Sequence, residues 1–127
     1  MNHQRRPAGR SPVTLINIFE VPAEHVEVFI TQWRERAALM STKPGFLDSR
    51  LHRALSPQSR FQLVNVARWG SREALQAAQA DPEFQERIRA ATADPRAAVS
   101  ANPAVYEIAV EFSGPSPDEH RSTLTSR

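Results

Sequence analysis

The sequence predicts an α+β fold in which helices cover one side of a four-stranded antiparallel sheet. Three observations predict it. Four segments rich in β-branched and aromatic residues are separated by segments of helical period or by turns. Their order is β-α-β-β-α-β, the split βαβ arrangement called ferredoxin-like. The 127 residues, 40% of them hydrophobic, suffice for one domain with a modest core.

Val13 to Val21 reads as the first strand, stopped by Pro22. Ala23 to Ser41 reads as a helix. Its Val26, Phe29, Ile30, Trp33, Ala37 and Met40 recur every three or four residues and so share one face. Lys43-Pro44-Gly45 is a turn. Phe46 to Leu55 reads as the second strand, with Leu47, Leu51 and Leu55 on one parity and Arg50 and His52 on the other. A turn through Pro57 leads to a third strand, Arg60 to Trp69. Ser71 is an N-cap for a short helix, Arg72 to Gln79. Asp81-Pro82 starts another, a cap followed by proline at the first helical position, with Phe84, Ile88 and Ala91 on its apolar face. Asp94 to Pro103 reads as a loop, and Val105 to Phe112 as the last strand.

The ends differ from this core. Residues 1–12 are polar and basic, and residues 113–127 open on Ser113-Gly114-Pro115 and stay polar. Both read as disordered tails around a domain of residues 13–112. No stretch is long and apolar enough to span a bilayer, and no apolar run follows the N-terminal arginines; the expected location is cytoplasmic. The absence of cysteine excludes disulfides and thiol chemistry. The net charge is +2, with Arg5, Arg6 and Arg10 in the N-terminal tail. No basic stripe marks a nucleic-acid partner.

Neither parity of the first and third strands is polar. Ile16 and Ile18 oppose Leu15, Asn17 and Phe19. Val64 and Val66 oppose Phe61, Leu63, Asn65, Ala67 and Trp69. Helices cover only one side, so the expected solution is a homodimer packed sheet to sheet. The face expected to be left bare is that of Leu15, Phe19, Phe61, Leu63 and Trp69. With Asn17, His52, Asn65 and the Trp69 indole, it has the makings of a pocket: apolar walls and a few polar groups.

Three segments carry a resemblance: Leu51-His52-Arg53-Ala54-Leu55, then Val64-Asn65-Val66-Ala67-Arg68-Trp69, then Gly70-Ser71-Arg72-Glu73-Ala74. With the Pro-Ala-Glu helix start and Asp81-Pro82-Glu83-Phe84, the chain resembles the antibiotic biosynthesis monooxygenase family over about residues 13–112. The resemblance implies a dimeric α+β barrel. It also implies a choice of activities: oxidation of anthrones by O2 without metal or flavin, haem cleavage, or chemistry on small quinones. By the same resemblance Asn65 and Trp69 match residues that hydrogen-bond substrate and oxygen species in the anthrone oxygenases, His52 points into the pocket as a proton acceptor, and Asn17 matches an asparagine that reaches bound oxygen in the haem-degrading members.

For each of these residues a structural role stands beside the functional one: an interface hydrogen bond for Asn65 and Asn17, core packing for Trp69, a solvated strand position for His52. Leu15, Phe19, Leu63 and Arg89 complete the expected substrate contacts, Arg89 being equally readable as a solvated helix arginine. Two departures matter. Leu75 stands where the anthrone oxygenases often have a pocket tyrosine. Residues 71–91 hold no histidine, which haem-degrading members use as iron ligand. No pair of histidines has metal-ligand spacing.

The expected function is therefore a cofactor-independent monooxygenase of an aromatic, anthrone- or hydroquinone-like molecule. The alternatives are a non-catalytic dimeric protein that binds a small ligand, and a haem-binding or haem-degrading oxygenase.

Overall fold

The first strand, β1 (Val13–Glu20), runs through the middle of a four-stranded antiparallel sheet. The computed structural model describes residues 11–97 and 99–115. The expected N-terminal arm up to residue 10, and the C-terminal tail from residue 116, lie outside the described residues. After β1 a single 3-10 turn, Ala23–His25, leads into α1 (Val26–Met40). Then come β2 (Phe46–Arg53), β3 (Leu63–Trp69), α2 (Arg72–Gln79), α3 (Pro82–Thr92) and β4 (Ser100–Tyr106). The strand order is β2-β3-β1-β4, as the split βαβ arrangement requires.

The two short helices begin where the sequence places their caps. The Ser71 hydroxyl accepts from the Ala74 amide at 3.0 Å, and the Asp81 carboxylate accepts from the Phe84 amide at 3.0 Å. Pro82 follows at the first position of α3. Asp81 also takes a hydrogen bond from Lys43 at 2.9 Å, which ties α3 to the turn before β2. The Lys43 ammonium, then the amide bond, hold the Asp81 carboxyl below its ordinary value.

The last strand is a correction. It covers Ser100–Tyr106, not Val105 to Phe112. Pro103 suggests a loop, yet it pairs opposite Asn17 on the outermost strand, where proline is tolerated. Ile108, Val110 and Phe112 lie beyond the strand and are exposed.

The covered face of the sheet is a second correction. Phe19 and Leu63 pack with Val26 and Phe29 of α1. Trp69 and Ala67 pack with Leu75 and Ala78 of α2. The helices thus cover the Leu15, Phe19, Leu63 and Trp69 side, which the sequence reading left bare. The bare side is the other parity. There Ile16 pairs with Val66 and Ala104, and Ile18 with Val64 and Asn102. His52 lies opposite Val64, and Arg50 opposite Val66. Phe61 precedes β3 and is exposed, with the Arg60 guanidinium 5.0 Å from its ring.

A register shift between Phe46 and Asp48 adjusts the start of β2. It sends Phe46 inward, edge-on to Trp69 at 5.3 Å, and leaves Leu47 exposed. Leu55 lies past the strand and is fully exposed, so only Leu51 of the three same-parity leucines packs against the core.

Gly45 makes this turn possible. Its φ is +85°, and a Cβ there would sit 2.4 Å from Ala74 Cβ. Its carbonyl accepts from the Gly70 amide at 2.7 Å. Gly45→Ala is expected to destabilise the domain by about 2–3 kcal/mol, from left-handed backbone strain plus overpacking against α2. Urea unfolding would read this as a lower midpoint at unchanged slope.

Candidate functional site

A cavity of about 450 Å³ lies between the covered face of the sheet and the helices. This is ample for a flat molecule of several fused rings. The sheet supplies its floor: Leu15, Asn17 and Phe19 from β1, Phe46 and Ser49 from β2, Asn65, Ala67 and Trp69 from β3, and Ala101 and Pro103 from β4. Helix α1 supplies Phe29, Gln32, Trp33, Arg36, Ala37 and Met40, positions that share one face because they are three or four apart. Helix α3 adds Phe84, Gln85, Ile88, Ala91 and Thr92.

The polar groups of the floor form one cluster. Asn17 and Asn65 are directly paired across β1 and β3. Asn65 is buried, and its amide oxygen accepts from the Ser49 hydroxyl at 2.9 Å. That bond orients the amide: with the oxygen engaged, the NH2 group is the end left to donate. The Asn17 amide oxygen is buried with no partner among the described residues, as is the Gln32 amide oxygen. Such orphaned acceptors cost about 1–3 kcal/mol each and favour a ligand that can donate. Gln32 gives its NH2 to Asp94 at 2.7 Å, which fixes the α1 wall to the end of α3.

Most of the expected residues come together here. Asn65, Trp69, Asn17, Leu15 and Phe19 all line the cavity. Three do not. Leu63 is fully buried in the core under α1 and does not reach the cavity. His52 is exposed on the bare side of the sheet, because its parity is that of Val64 and not of Asn65. It is not available as a proton acceptor in the cavity. Arg89 is exposed on α3 and pairs with Glu86 at 2.7 Å, a solvated helix arginine. Leu75 packs beneath Trp69 as core.

Among the described residues no histidine lines the cavity, and no group of three potential metal ligands exists. No helix of the described residues is long and apolar enough to cross a membrane.

The family model described as antibiotic biosynthesis monooxygenase matches residues 12–90. The chain belongs to this family. A candidate monooxygenase from Shewanella loihica PV-4 is 33% identical, with a TM-score of 0.64 over 80% of this chain and 97% of that one. SnoaB from Streptomyces nogalater, a cofactor-independent oxygenase, is 25% identical, with a TM-score of 0.68 over 82% and 99%. A candidate antibiotic biosynthesis monooxygenase from Caulobacter crescentus CB15 shares the fold at 18% identity, with a TM-score of 0.67 over 86% and 99%. No match is found among curated proteins.

Sequence reasoning about this family member missed Ser49, Gln32 and Arg36. Ser49 could have been found from the Leu51 parity of β2. Gln32 and Arg36 lie on the α1 stripe that Phe29 and Trp33 define, Arg36 seven residues after Phe29. They escaped because a polar residue on an apolar stripe reads as its margin.

Proposed function

We propose that the protein is a homodimeric, cofactor-independent monooxygenase that oxidises a flat anthrone- or hydroquinone-like molecule with O2. One observation carries this reading: the paired amides Asn17 and Asn65 stand with Trp69 on the floor of a mostly apolar cavity sized for such a molecule. The family and the likeness to SnoaB support it.

The substrate supplies the reducing electrons. An anthrone CH2 loses a proton to solvent, and the resulting enolate passes one electron to O2. The radical and superoxide join in a carbon–oxygen bond, giving a peroxide anion that takes a proton back from solvent to become a hydroperoxide. Loss of the remaining C–H proton with cleavage of the O–O bond leaves a ketone and water. In this scheme the Asn65 NH2 and the Trp69 indole N–H stabilise negative charge on substrate and peroxide oxygen. The apolar walls hold the rings and exclude water. Oxygen uptake with dithranol, an anthrone, tests the reading. Stoichiometric uptake with quinone formation is expected, and no acceleration over buffer would overturn it.

The dimer rests on the bare side of the sheet. Ile16, Ile18, Val64 and Val66 stay partly accessible there, with no helix over them. Their removal from water by a second copy stabilises by about 1 kcal/mol or more each. Val66→Glu is expected to weaken dimerisation by at least about 100-fold, since a two-fold interface would bury two carboxylates. Sedimentation velocity at micromolar concentration checks this.

A further inference from the structure

The cavity has walls from four strands and three helices, yet among the described residues it contains one charged side chain, Arg36. Among the described residues no aspartate, glutamate, histidine, lysine or tyrosine lines it. Arg36 sits in the third turn of α1, on the same stripe as Phe29 and Trp33. It is half-buried, with its guanidinium 5.6 Å from the centre of the Phe29 ring. The described arginines that form ion pairs, such as Arg53 with Glu27 or Arg87 with Glu83, carry guanidinium side chains that reach the surface. Arg36 has no such partner among the described residues. The adjacent Glu35 is exposed and faces Arg87 at 3.7 Å.

A lone cation facing an apolar cavity is a recognition element for an anion. Burial of a guanidinium without a counter-charge is unfavourable, and an oxyanion arriving in the cavity relieves it with charge-assisted hydrogen bonds. The same site lacks a carboxylate or imidazole to remove a proton from substrate. A fixed positive charge performs the equivalent task by lowering the substrate's own pKa, so that solvent suffices as acceptor.

Resting on the proposed oxygenase pocket, we infer that Arg36 is its anion-binding residue and that the substrate is an aromatic ring system bearing an oxyanion. The oxyanion is either a standing carboxylate or the enolate formed on ionisation. Burial lowers the Arg36 pKa from its ordinary value, and the guanidinium still stays charged at neutral pH.

The chain's two tryptophans, Trp33 and Trp69, both line the cavity, so their fluorescence reports occupancy directly. Wild type, Arg36→Met and Arg36→Lys are titrated with naphthoate and with its neutral counterpart naphthamide. Wild type is expected to bind naphthoate roughly 10- to 100-fold more tightly. Arg36→Met should lose that preference while keeping its affinity for naphthamide, and Arg36→Lys should keep part of it. In parallel, the pH–rate profile of dithranol oxidation is followed. Its midpoint is expected to rise by about one pH unit or more in Arg36→Met.

Loss of the naphthoate preference alone assigns Arg36 to a standing carboxylate. A shifted profile alone assigns it to the enolate. Unchanged preference and unchanged profile in Arg36→Met, with both probes still quenching, overturn the inference and leave the pocket standing. Absence of quenching by either probe in wild type overturns the pocket and this inference together.

Discussion

Asn65→Ala is expected to lower kcat/KM for dithranol oxidation by about 100-fold, the usual cost of removing one donor aimed at developing negative charge. The geometry gives the reason. Ser49 engages the amide oxygen of Asn65, so the NH2 is the group that remains to meet an oxyanion. Alanine removes that donor and also leaves the Ser49 hydroxyl without its acceptor, a stability cost of about 1 kcal/mol. The fold should survive, because Asn65 belongs to neither apolar cluster. Asn65→Asp separates shape from charge. It keeps the size and the bond from Ser49 but replaces the donor with a carboxylate, and is expected to be at least as inactive. Oxygen-electrode kinetics on all three proteins check this. An Asn65→Ala enzyme retaining half the wild-type rate would remove Asn65 from the chemistry.

Trp69→Ala should cost about 3–5 kcal/mol of stability, a large part of the roughly 5–15 kcal/mol available to a small domain. Trp69 is 1% exposed, meets Phe46 edge-on, and packs on Ala67, Leu75 and Ala78. It also lines the cavity, so its loss would enlarge the site and weaken the core in one step. Trp69→Phe distinguishes the two roles. Phenylalanine keeps an aromatic ring against Phe46 and should cost only about 1–2 kcal/mol. It removes the indole N–H, and a rate loss of about 10-fold is expected if that donor acts on substrate. Thermal unfolding beside turnover measurements reads both. Unchanged turnover in a folded Trp69→Phe protein would make Trp69 a packing residue alone.

The site is partly legible in the sequence. Asn65 and Trp69 share a parity on β3, so alternation puts them on one face; the strand register then sets Asn17 of β1 beside them. His52 was misplaced because proximity was carried over from a resemblance, while its own parity pairs it with Val64 on the other side. Phe46 and Leu47 exchanged roles through the register shift at the start of β2, which no period-two pattern reveals. Arg36 was hidden by its charge: on a helix drawn by its apolar residues, an arginine marks the edge of the stripe, and only the cavity shows it turned inward.

By itself the amino-acid chain determined the order of elements, the caps at Ser71 and Asp81, the apolar stripe of α1 and the presence of two apolar sheet faces. It could not determine which face the helices would cover, because alternation is symmetric: it tells two sides apart without saying which lies under a helix. Packing volume supplies the reason for the choice made. Phe19, Leu63 and Trp69 are long enough to fill the space between sheet and helix, whereas Ile16, Ile18, Val64 and Val66 are short, β-branched and suited to a flatter contact. Only the tertiary structure decided this, and with it that Arg36, rather than His52, is the charged group facing the cavity among the described residues.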